Sequence, residues 1–266
     1  MNNQAIGIFD SGVGGLSVFQ EIRKLLASEN LIYFADQAYC PYGTKTNSEI
    51  RQRVISALKF LQTQNIKMAV IACNTATTVG IDYYRERFPK LPIIGVVPVI
   101  KTAAEKTLTK RILVLATQNT IESPYLDVLI KKFGKGIKFF RLGDWEGQLV
   151  KKIEEGQLKQ QEMENELYHL LRPFLNQNID IVVLGCTHFP FIKTQIQTVM
   201  GQKVHILDSG GAVGRQVKRV LEGKNLLAEN RKPDYTFYTT DDTQKLSKSI
   251  QNFINISSVN VKQIKL

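Results

Sequence analysis

The alternation of short apolar runs with amphipathic stretches is the feature that most restricts how this chain can fold. Seven runs of four to six residues, rich in Val, Ile and Leu, recur along the sequence. Runs of this length and composition are typical of parallel strands buried on both faces. The alternation predicts an α/β protein of mainly parallel sheets flanked by helices. The runs span 5–9, 31–35, 68–72, 91–96, 111–116, 180–185 and 204–207.

Two short segments carry signals for helix starts. Thr46 and Glu49 have the spacing of a capping box, and apolar residues then follow at helical spacing up to position 61. Pro98 is placed to start a helix after the strand at 91–96. Both segments support strand–helix alternation.

A faint internal repeat indicates two similar lobes. AVIACNTAT (69–77) is echoed by IVVLGCTHF (181–189), and FDSGVGG (9–15) by LDSGGAV (207–213). Each lobe would present a thiol at the carboxyl end of a strand, the place where α/β sheets bind ligands. We expect the first lobe at 1–97 plus 208–266, the second at 98–207, and the active site in the cleft between them.

Composition excludes several classes of protein. No apolar stretch approaches the roughly 18 residues of a membrane span, and no signal-peptide pattern opens the chain. The three cysteines form no CxxC motif, which favours a reducing cytoplasm over a disulfide scaffold. The formal net charge of +11 is spread over the whole chain. This pattern favours a solvated basic surface or a small anionic substrate over nucleic acid as primary ligand.

The segment DSGVGG (10–15) lies between a predicted strand and a predicted helix. It is not a dinucleotide loop, because the third glycine of the fingerprint is replaced by Ser17 and Asp10 would repel a phosphate. Two interpretations remain open. Ser11 and the backbone could cradle a substrate carboxylate while Asp10 meets an ammonium group, or Asp10 could cap the helix while the glycines make a tight turn.

The segment CPYGTKT (40–46) is predicted to be a loop, because Pro41 and Gly43 interrupt regular structure. It is either a plain connector or part of a polar pocket to which Tyr42 and Gly43 contribute.

The two remaining cysteines follow strands. Cys73 is expected at a helix N-terminus, where free N–H groups stabilise a thiolate, unless it is simply a small buried side chain. Cys186 comes just before Thr187 and His188, which is compatible with a hydrolase nucleophile, a zinc ligand or an inert core position. The zinc interpretation would use Cys73, Cys186 and His188, but no pair has a familiar ligand spacing, and we expect no metal.

Two thiols in matching positions suit another chemistry. Removing a proton from one face of a carbon acid and returning one to the other face requires two bases of similar pKa. The ordinary cysteine pKa of about 8.5 is close enough to neutrality for either role. Asp10 and His188 are the candidate partners of the two thiols.

Five motifs in this order carry a family resemblance: IGIFDSGVGG, ADQAYCPYG, ACNTAT, GVVPVI and LGCTHFP. Together they resemble the bacterial glutamate racemases of the cofactor-independent aspartate/glutamate racemase superfamily. The similarity runs from residue 6 to about residue 214.

The resemblance implies interconversion of L- and D-glutamate without pyridoxal phosphate or another cofactor, in a cytoplasmic homodimer that supplies D-glutamate for peptidoglycan. It implies that Cys73 deprotonates the D-enantiomer and Cys186 the L-enantiomer, with Asp10 and His188 supporting the thiols. The substrate-binding residues it implies are Asp10, Ser11, Tyr42, Gly43, Asn74, Thr75, Thr120, Glu154 and Thr187.

The chain departs from the family pattern in two places. ATQNT (116–120) has Asn119 where the family has glycine, a change that a left-handed backbone would tolerate. Upstream of KIEEG, which supplies Glu154, GDWEGQLV (143–150) replaces a usual Cys-Pro pair. Cys40 occupies a position that the family does not use for catalysis, and we interpret it as a bystander.

Three alternatives stay open on the residues alone. They are a racemase for aspartate or another amino acid, a thiol amidase, and a basic nucleic-acid-binding protein. Sequence physics indicates an acid/base pair acting on an anionic substrate that carries an ammonium group. Only the resemblance favours glutamate.

Overall fold

The computed structural model describes residues 3–157, 159–229, 232–256 and 259–266. Its strands are β1 (Ala5–Asp10), β2 (Leu31–Ala35), β3 (Ile66–Ile71), β4 (Ile93–Gly95), β5 (Arg111–Thr117), β6 (Lys138–Asp144), β7 (Ile181–Gly185), β8 (His205–Leu207), β9 (Tyr235–Thr239) and β10 (Val261–Gln263). Its α-helices are α1 (Leu16–Leu25), α2 (Asn47–Thr63), α3 (Asn74–Arg87), α4 (Ile100–Lys106), α5 (Gln118–Ile121), α6 (Pro124–Phe133), α7 (Gln148–Glu154), α8 (Gln160–Leu171), α9 (Lys193–Met200), α10 (Gly210–Gly223) and α11 (Thr243–Ile254).

The strands form two sheets. The first has the order β10-β9-β2-β1-β3-β4 and the second the order β6-β5-β7-β8. Every strand pairing among the described residues is parallel. The predicted α/β class with parallel sheets flanked by helices is confirmed.

The distribution of strands is compatible with the predicted lobes. Residues 5–95 and 235–263 supply the first sheet, and residues 111–207 supply the second. The division at 97/98 and 207/208 itself stays a prediction. Among the described residues, no helix is long and apolar enough to cross a bilayer.

The strand register separates two faces of the first sheet. Ile6 and Ile8 of β1 point into a core with α1, α10 and α11, whereas Phe9 packs with α2 and α3 on the other face. The first of these cores continues without a break into α7, α8 and α9 of the second lobe. The two lobes therefore share one apolar layer.

All seven predicted strands are present, and three further strands were not predicted. β6 lies at a sheet edge and is mostly half-exposed. This exposure permits the charged residues in its sequence KFFRLGD, which interrupt the apolar run. β9 alternates aromatic residues with Thr, and β10 is a short edge strand. Edge and half-exposed strands lack the continuous apolar run that identifies a buried strand.

The predicted capping box is confirmed. The Thr46 side chain accepts from the Glu49 backbone N–H, and the Glu49 carboxylate accepts from the Thr46 backbone N–H. The prediction for Pro98 is off by two residues, because α4 begins at Ile100 and has Val99 as its N-cap. The Pro98 carbonyl instead accepts a hydrogen bond from the Ile100 N–H at 2.8 Å.

Candidate active site

The carboxyl ends of strands from both sheets meet at one small cavity. β3 leads to Cys73, β5 ends at Thr117, and β7 leads to Cys186. All three residues line the cavity, whose volume is about 10 Å³. The complete lining is Ser11, Pro41, Tyr42, Gly43, Cys73, Asn74, Thr75, Thr117, Val150, Cys186, Thr187 and His188. The structure thus brings both predicted thiols to a single site.

Cys73 is the N-cap of α3, as the strand-to-helix pattern predicts. Its Sγ accepts from the Ala76 N–H at 3.5 Å and lies 3.6 Å from the Ser11 Oγ. Burial nevertheless raises the pKa of this thiol to about 12, with the negative charge of Asp10 acting in the same direction. The helix N-terminus does stabilise a thiolate, as expected, because the Ala76 N–H lowers the pKa of Cys73; in this conformation desolvation outweighs that hydrogen bond and the one with Ser11.

Asp10 is the last residue of β1 and is completely buried. Its Oδ1 accepts from the Gly12 N–H at 2.8 Å, and its Oδ2 accepts from the Thr187 hydroxyl at 3.1 Å. Burial raises the pKa of this carboxyl to about 6, although the positive charge of His188 acts against the shift. Helix α1 begins six residues later with Gly15 as its N-cap, so Asp10 is not a helix cap.

His188 connects Cys186 to Glu154. Its Nδ1 lies 3.7 Å from the Cys186 Sγ, and its Nε2 lies 2.5 Å from the Glu154 Oε1. Burial lowers the pKa of the imidazole, but hydrogen bonds to Cys186, Cys40 and Glu154 outweigh burial and hold it well above its ordinary value. Burial raises the pKa of Glu154, yet the hydrogen bond and charge of His188 bring the net pKa below its usual range. The buried imidazolium of His188 and the half-buried carboxylate of Glu154 form an ion pair.

The glycines of DSGVGG allow the second lobe to approach the backbone of the first. A Cβ on Gly12 would lie 1.9 Å from the Glu154 Oε1, and one on Gly14 would lie 2.3 Å from the His188 Nδ1. The Val13 N–H donates to the Glu154 Oε1 at 2.6 Å. At Val13 the backbone of this turn therefore holds a carboxylate of the protein itself.

The loop that follows β2 is held from behind by an ion pair. The Tyr42 hydroxyl donates to the Asp36 Oδ2 at 2.6 Å, and Arg53 donates to both oxygens of Asp36 at 2.9 and 2.6 Å. Tyr42 and Gly43 both line the cavity, as the pocket interpretation predicts. Because the hydroxyl of Tyr42 is engaged by Asp36, the ring and the backbone are what this residue presents to the site.

Asn74 is the clearest unused donor at the cavity. Its side chain is 3% exposed, and its Nδ2 has no hydrogen-bond partner among the described residues. A buried amide without a partner costs free energy of about 1–3 kcal/mol. Its neighbour Thr75 contacts Thr117 of the second lobe through their hydroxyls at 2.8 Å.

Three predicted substrate contacts, Asp10, Thr120 and Glu154, do not line the cavity. Asp10 is instead hydrogen-bonded to Thr187, which does line it. Thr120 is fully buried behind Thr117, to whose Oγ1 its own hydroxyl is hydrogen-bonded at 3.0 Å. Glu154 lies on the far side of His188 and also accepts from the Gln37 side chain at 3.1 Å. Their roles in substrate binding stay predictions.

A family model described as Asp/Glu/Hydantoin racemase matches residues 6–217 of the chain.
The chain belongs to the Asp/Glu/Hydantoin racemase family.
It is 38% identical over 256 residues to a glutamate racemase from Clostridium botulinum, an alignment that covers 96% of this chain and 98% of the relative. The family resemblance that the five motifs predict is thereby confirmed.

Solved racemase structures agree with the fold. A glutamate racemase from Bacillus anthracis matches with a TM-score of 0.92 at 28% identity, covering 100% of this chain and 99% of that one. A glutamate racemase from Francisella tularensis, in complex with D-glutamate, matches with a TM-score of 0.87 at 30% identity, covering 100% and 98% of the two chains.

Several residues of this candidate site were not predicted from the sequence. Thr117, Pro41 and Val150 line the cavity, and the Asp36–Arg53 pair supports the loop behind Tyr42. Thr117 had a detectable signal, because it is a hydroxyl residue at the end of a predicted strand. The ion pair had none, because its two members lie on different elements and charged residues are usually solvated.

A left-handed backbone does not explain the asparagine at position 119. It lies in α5 and is not among the described residues with positive φ. Its amide donates to the Lys45 carbonyl at 3.0 Å and so links the second lobe to the loop of the first. The departure from the family glycine therefore adds a contact across the cleft.

Proposed function

We propose that this protein racemises glutamate by a two-base 1,1-proton transfer without a cofactor. The observation that carries the proposal is the presence of Cys73 and Cys186, from two different sheets, in the lining of one cavity. A hydrolase needs only one such nucleophile, whereas a racemase needs a base for each face of the α-carbon.

The roles of the thiols follow from this assignment. The Cys73 thiolate removes the α-proton of D-glutamate, and the Cys186 thiol gives a proton to the opposite face to form L-glutamate. The reverse reaction begins with the Cys186 thiolate. His188, whose Nδ1 lies 3.7 Å from the Cys186 Sγ, stabilises that thiolate. Asp10 acts on the other thiol: its negative charge raises the pKa of Cys73 and so favours the protonated form, which gives the proton when L-glutamate is converted to D-glutamate.

The substrate supplies part of the electrostatics. Because burial raises the pKa of Cys73 to about 12, its thiolate forms only when a positive charge enters the cavity. The ammonium group of an amino acid provides that charge next to Asp10. The unpartnered amide of Asn74 and the hydroxyls of Ser11 and Thr75 donate to the substrate carboxylates.

Binding requires the cleft to open. A cavity of about 10 Å³ holds roughly one water molecule, so glutamate enters only when the lobes separate. The contacts that must part include Thr75 to Thr117 and Asn119 to the Lys45 carbonyl. Closure around the substrate then excludes water from the carbanion.

We choose glutamate rather than aspartate as the proposed substrate because the relatives with 38–40% identity are named glutamate racemases. The Francisella tularensis enzyme, similar in fold and 30% identical, was solved with D-glutamate. We extend the proposal to a homodimer in the cytoplasm whose D-glutamate serves peptidoglycan synthesis. Light scattering on the purified protein tests the dimer, and a monomer would reject it.

Exchange of the α-proton in heavy water tests the reaction and the substrate together. The purified protein, without added cofactor, should incorporate deuterium into both enantiomers of glutamate, as followed by NMR. A panel with aspartate, alanine and glutamine tests specificity through kcat/KM. If neither glutamate enantiomer exchanges, the proposed function is wrong; faster exchange with aspartate would reassign the substrate.

A further inference from the structure

We propose that Cys40, Glu154 and His188 form an inhibitory zinc site beside the racemase cavity. One ligand atom from each side chain, a thiol sulfur, a carboxylate oxygen and an imidazole nitrogen, lies within 4.8 Å of the other two. The three residues come from the loop after β2, the end of α7 and the turn after β7. The proposal goes beyond the proposed function, because it concerns a ligand that racemisation does not use.

The donor set matches zinc. Zn²⁺ takes sulfur, nitrogen and oxygen ligands at about 2.0–2.3 Å in a tetrahedral arrangement, which places the ligand atoms roughly 3.3–3.8 Å apart. The present separations therefore require small side-chain shifts. The hydrogen bond between His188 and Glu154 must break to admit the ion, and the Cys40 side chain must rotate so that its sulfur faces the ion. A thiolate and a carboxylate together balance the charge of the ion.

The site is reachable from solvent on the side away from the catalytic cavity. Cys40 and Glu154 line a second, open pocket of about 410 Å³, whereas His188 lines the small catalytic cavity. The metal site therefore lies in the wall between the two. An ion arriving through the larger pocket meets two ligands at once, and a water in that pocket completes the tetrahedron.

Backbone packing already holds two of the ligands in place. A Cβ on Gly12 would lie 1.9 Å from the Glu154 Oε1 and 3.0 Å from the Cys40 Sγ. Both ligand atoms therefore pack against Gly12. Hydrogen bonds from the Val13 N–H and the Gln37 amide orient the Glu154 carboxylate. Such orientation of ligands by neighbouring groups is typical of protein metal sites.

Zinc at this position would stop the reaction without touching either catalytic thiol. A metal bond to the Nε2 of His188 replaces the hydrogen bond to Glu154 and fixes the ring. The imidazole then cannot follow Cys186 through the proton transfer. Inhibition should therefore be strong although the metal is bound outside the cavity that holds the substrate.

Two measurements on the full-length protein test the site. The first is inhibition of racemisation by Zn²⁺ in the wild-type protein and in Cys40→Ala, with each protein compared with its own rate without zinc, because Cys40 also contacts His188. Loss of a ligand should raise the zinc concentration for half-inhibition at least about 100-fold. Cys40→Ser is a second variant that keeps a small polar side chain and should show the same insensitivity.

The second measurement is Co²⁺ binding, read from the thiolate-to-cobalt charge-transfer band. The band should appear in the wild-type protein and in Cys73→Ala, and be absent in Cys40→Ala. Equal zinc sensitivity of wild type and Cys40→Ala, or a cobalt band lost in Cys73→Ala but kept in Cys40→Ala, would overturn the site. Because the cobalt band needs no turnover, it separates failure of this site from failure of the proposed racemase function.

Discussion

Burial governs the ionisable side chains of the site more strongly than any single hydrogen bond does. Cys73 has the helix N-terminus that should favour a thiolate, yet its pKa rises to about 12. Asp10 accepts two hydrogen bonds, yet its pKa rises to about 6. His188 is the opposite case, because three hydrogen-bonding partners together outweigh burial and keep it protonated. At this scale the balance between burial and the hydrogen bonds and charges of the neighbours sets the pKa.

The two thiols that we propose as catalytic should be equally indispensable. We expect Cys73→Ala and Cys186→Ala each to lower kcat for glutamate by about 10²–10⁴-fold, the usual contribution of one acid/base group. Cys40→Ala should stay close to wild type. Circular dichroism of the substrate solution follows the racemisation. Near-normal activity in either of the first two variants would refute the two-thiol mechanism.

Asp10 should make stability depend on pH. Its pKa in the folded protein, about 6, is above the ordinary value of 3.8, so the folded state binds the proton more tightly than the unfolded chain does. Ionised Asp10 therefore destabilises the protein. The cost is absent below pH 3.8, grows as pH rises, and reaches roughly 3 kcal/mol above pH 6.

Asp10→Asn should remove this pH-dependent destabilisation and also remove the effect of the Asp10 charge on Cys73. Urea unfolding should show that the variant gains stability relative to wild type, by roughly 3 kcal/mol more at pH 8 than at pH 3.5. Asp82→Asn is the matched control, because the side chain of Asp82 is 80% exposed. A gain of stability in Asp10→Asn that does not vary with pH would contradict the assignment.

At the scale of elements, the internal repeat predicts matching positions for the thiols, and the structure makes them different. Cys73 is followed at once by α3 and caps it. Cys186 is followed by Thr187, His188 and a short 3₁₀ turn, and α9 begins only at residue 193. The repeat therefore places both thiols at strand ends, but only one of them at the N-terminus of an α-helix.

The turn between β1 and α1 should be intolerant of side chains at Gly14. A Cβ there would lie 2.3 Å from the His188 Nδ1, so the ring must shift and its hydrogen bond to Glu154 is disturbed. We expect Gly14→Ala to lower kcat/KM by about 100-fold, since small displacements of catalytic groups have effects of this size.

The control for this prediction is Gly223→Ala at the end of α10. A Cβ there meets no atom within 4 Å, so activity should be unchanged and stability equal or slightly higher. Comparing the kcat/KM of both variants separates the effect of the clash at Gly14 from a general effect of replacing glycine with alanine. Far-UV circular dichroism verifies folding. Wild-type activity in Gly14→Ala would show that the close approach is not needed.

At the scale of the whole molecule, a buried ion pair ties the C-terminal part of the chain to the first sheet. Glu29, after α1, and Lys67, on β3, are both 1% exposed and lie 2.6 Å apart. Glu29 also accepts from the Ala228 N–H, and Lys67 donates to the Leu226 carbonyl. The pair therefore fixes the segment after α10, through which the chain returns to β9.

Removing one member of this pair should strongly lower the stability of the protein. We expect Glu29→Ala to lower the free energy of unfolding by about 3–5 kcal/mol, because it leaves a buried ammonium group without its carboxylate. Glu105→Ala, which removes an exposed partner of Lys101, should change it by less than about 1 kcal/mol. Urea titrations at pH 7 measure both, and equal effects would contradict the proposed role of burial.

Much of the fold was predictable because parallel strands carry their signal locally. The seven apolar runs, the capping box at Thr46 and the thiols at strand ends all depend on residues within a few positions of one another. β6, β9 and β10 escaped prediction because their exposed faces dilute the apolar pattern.

By itself the sequence determined the α/β class, the family and the position of Cys73 and Cys186 at the ends of strands. Hydrophobic periodicity and motif order are properties of neighbouring residues. Only the tertiary structure decided that DSGVGG lets His188 and Glu154 approach the backbone, and that Cys73 is a protonated thiol in the closed cleft. It also decided that Cys40 faces a histidine and a carboxylate. These facts depend on burial and on distances between residues far apart in the chain, and no local pattern encodes either quantity.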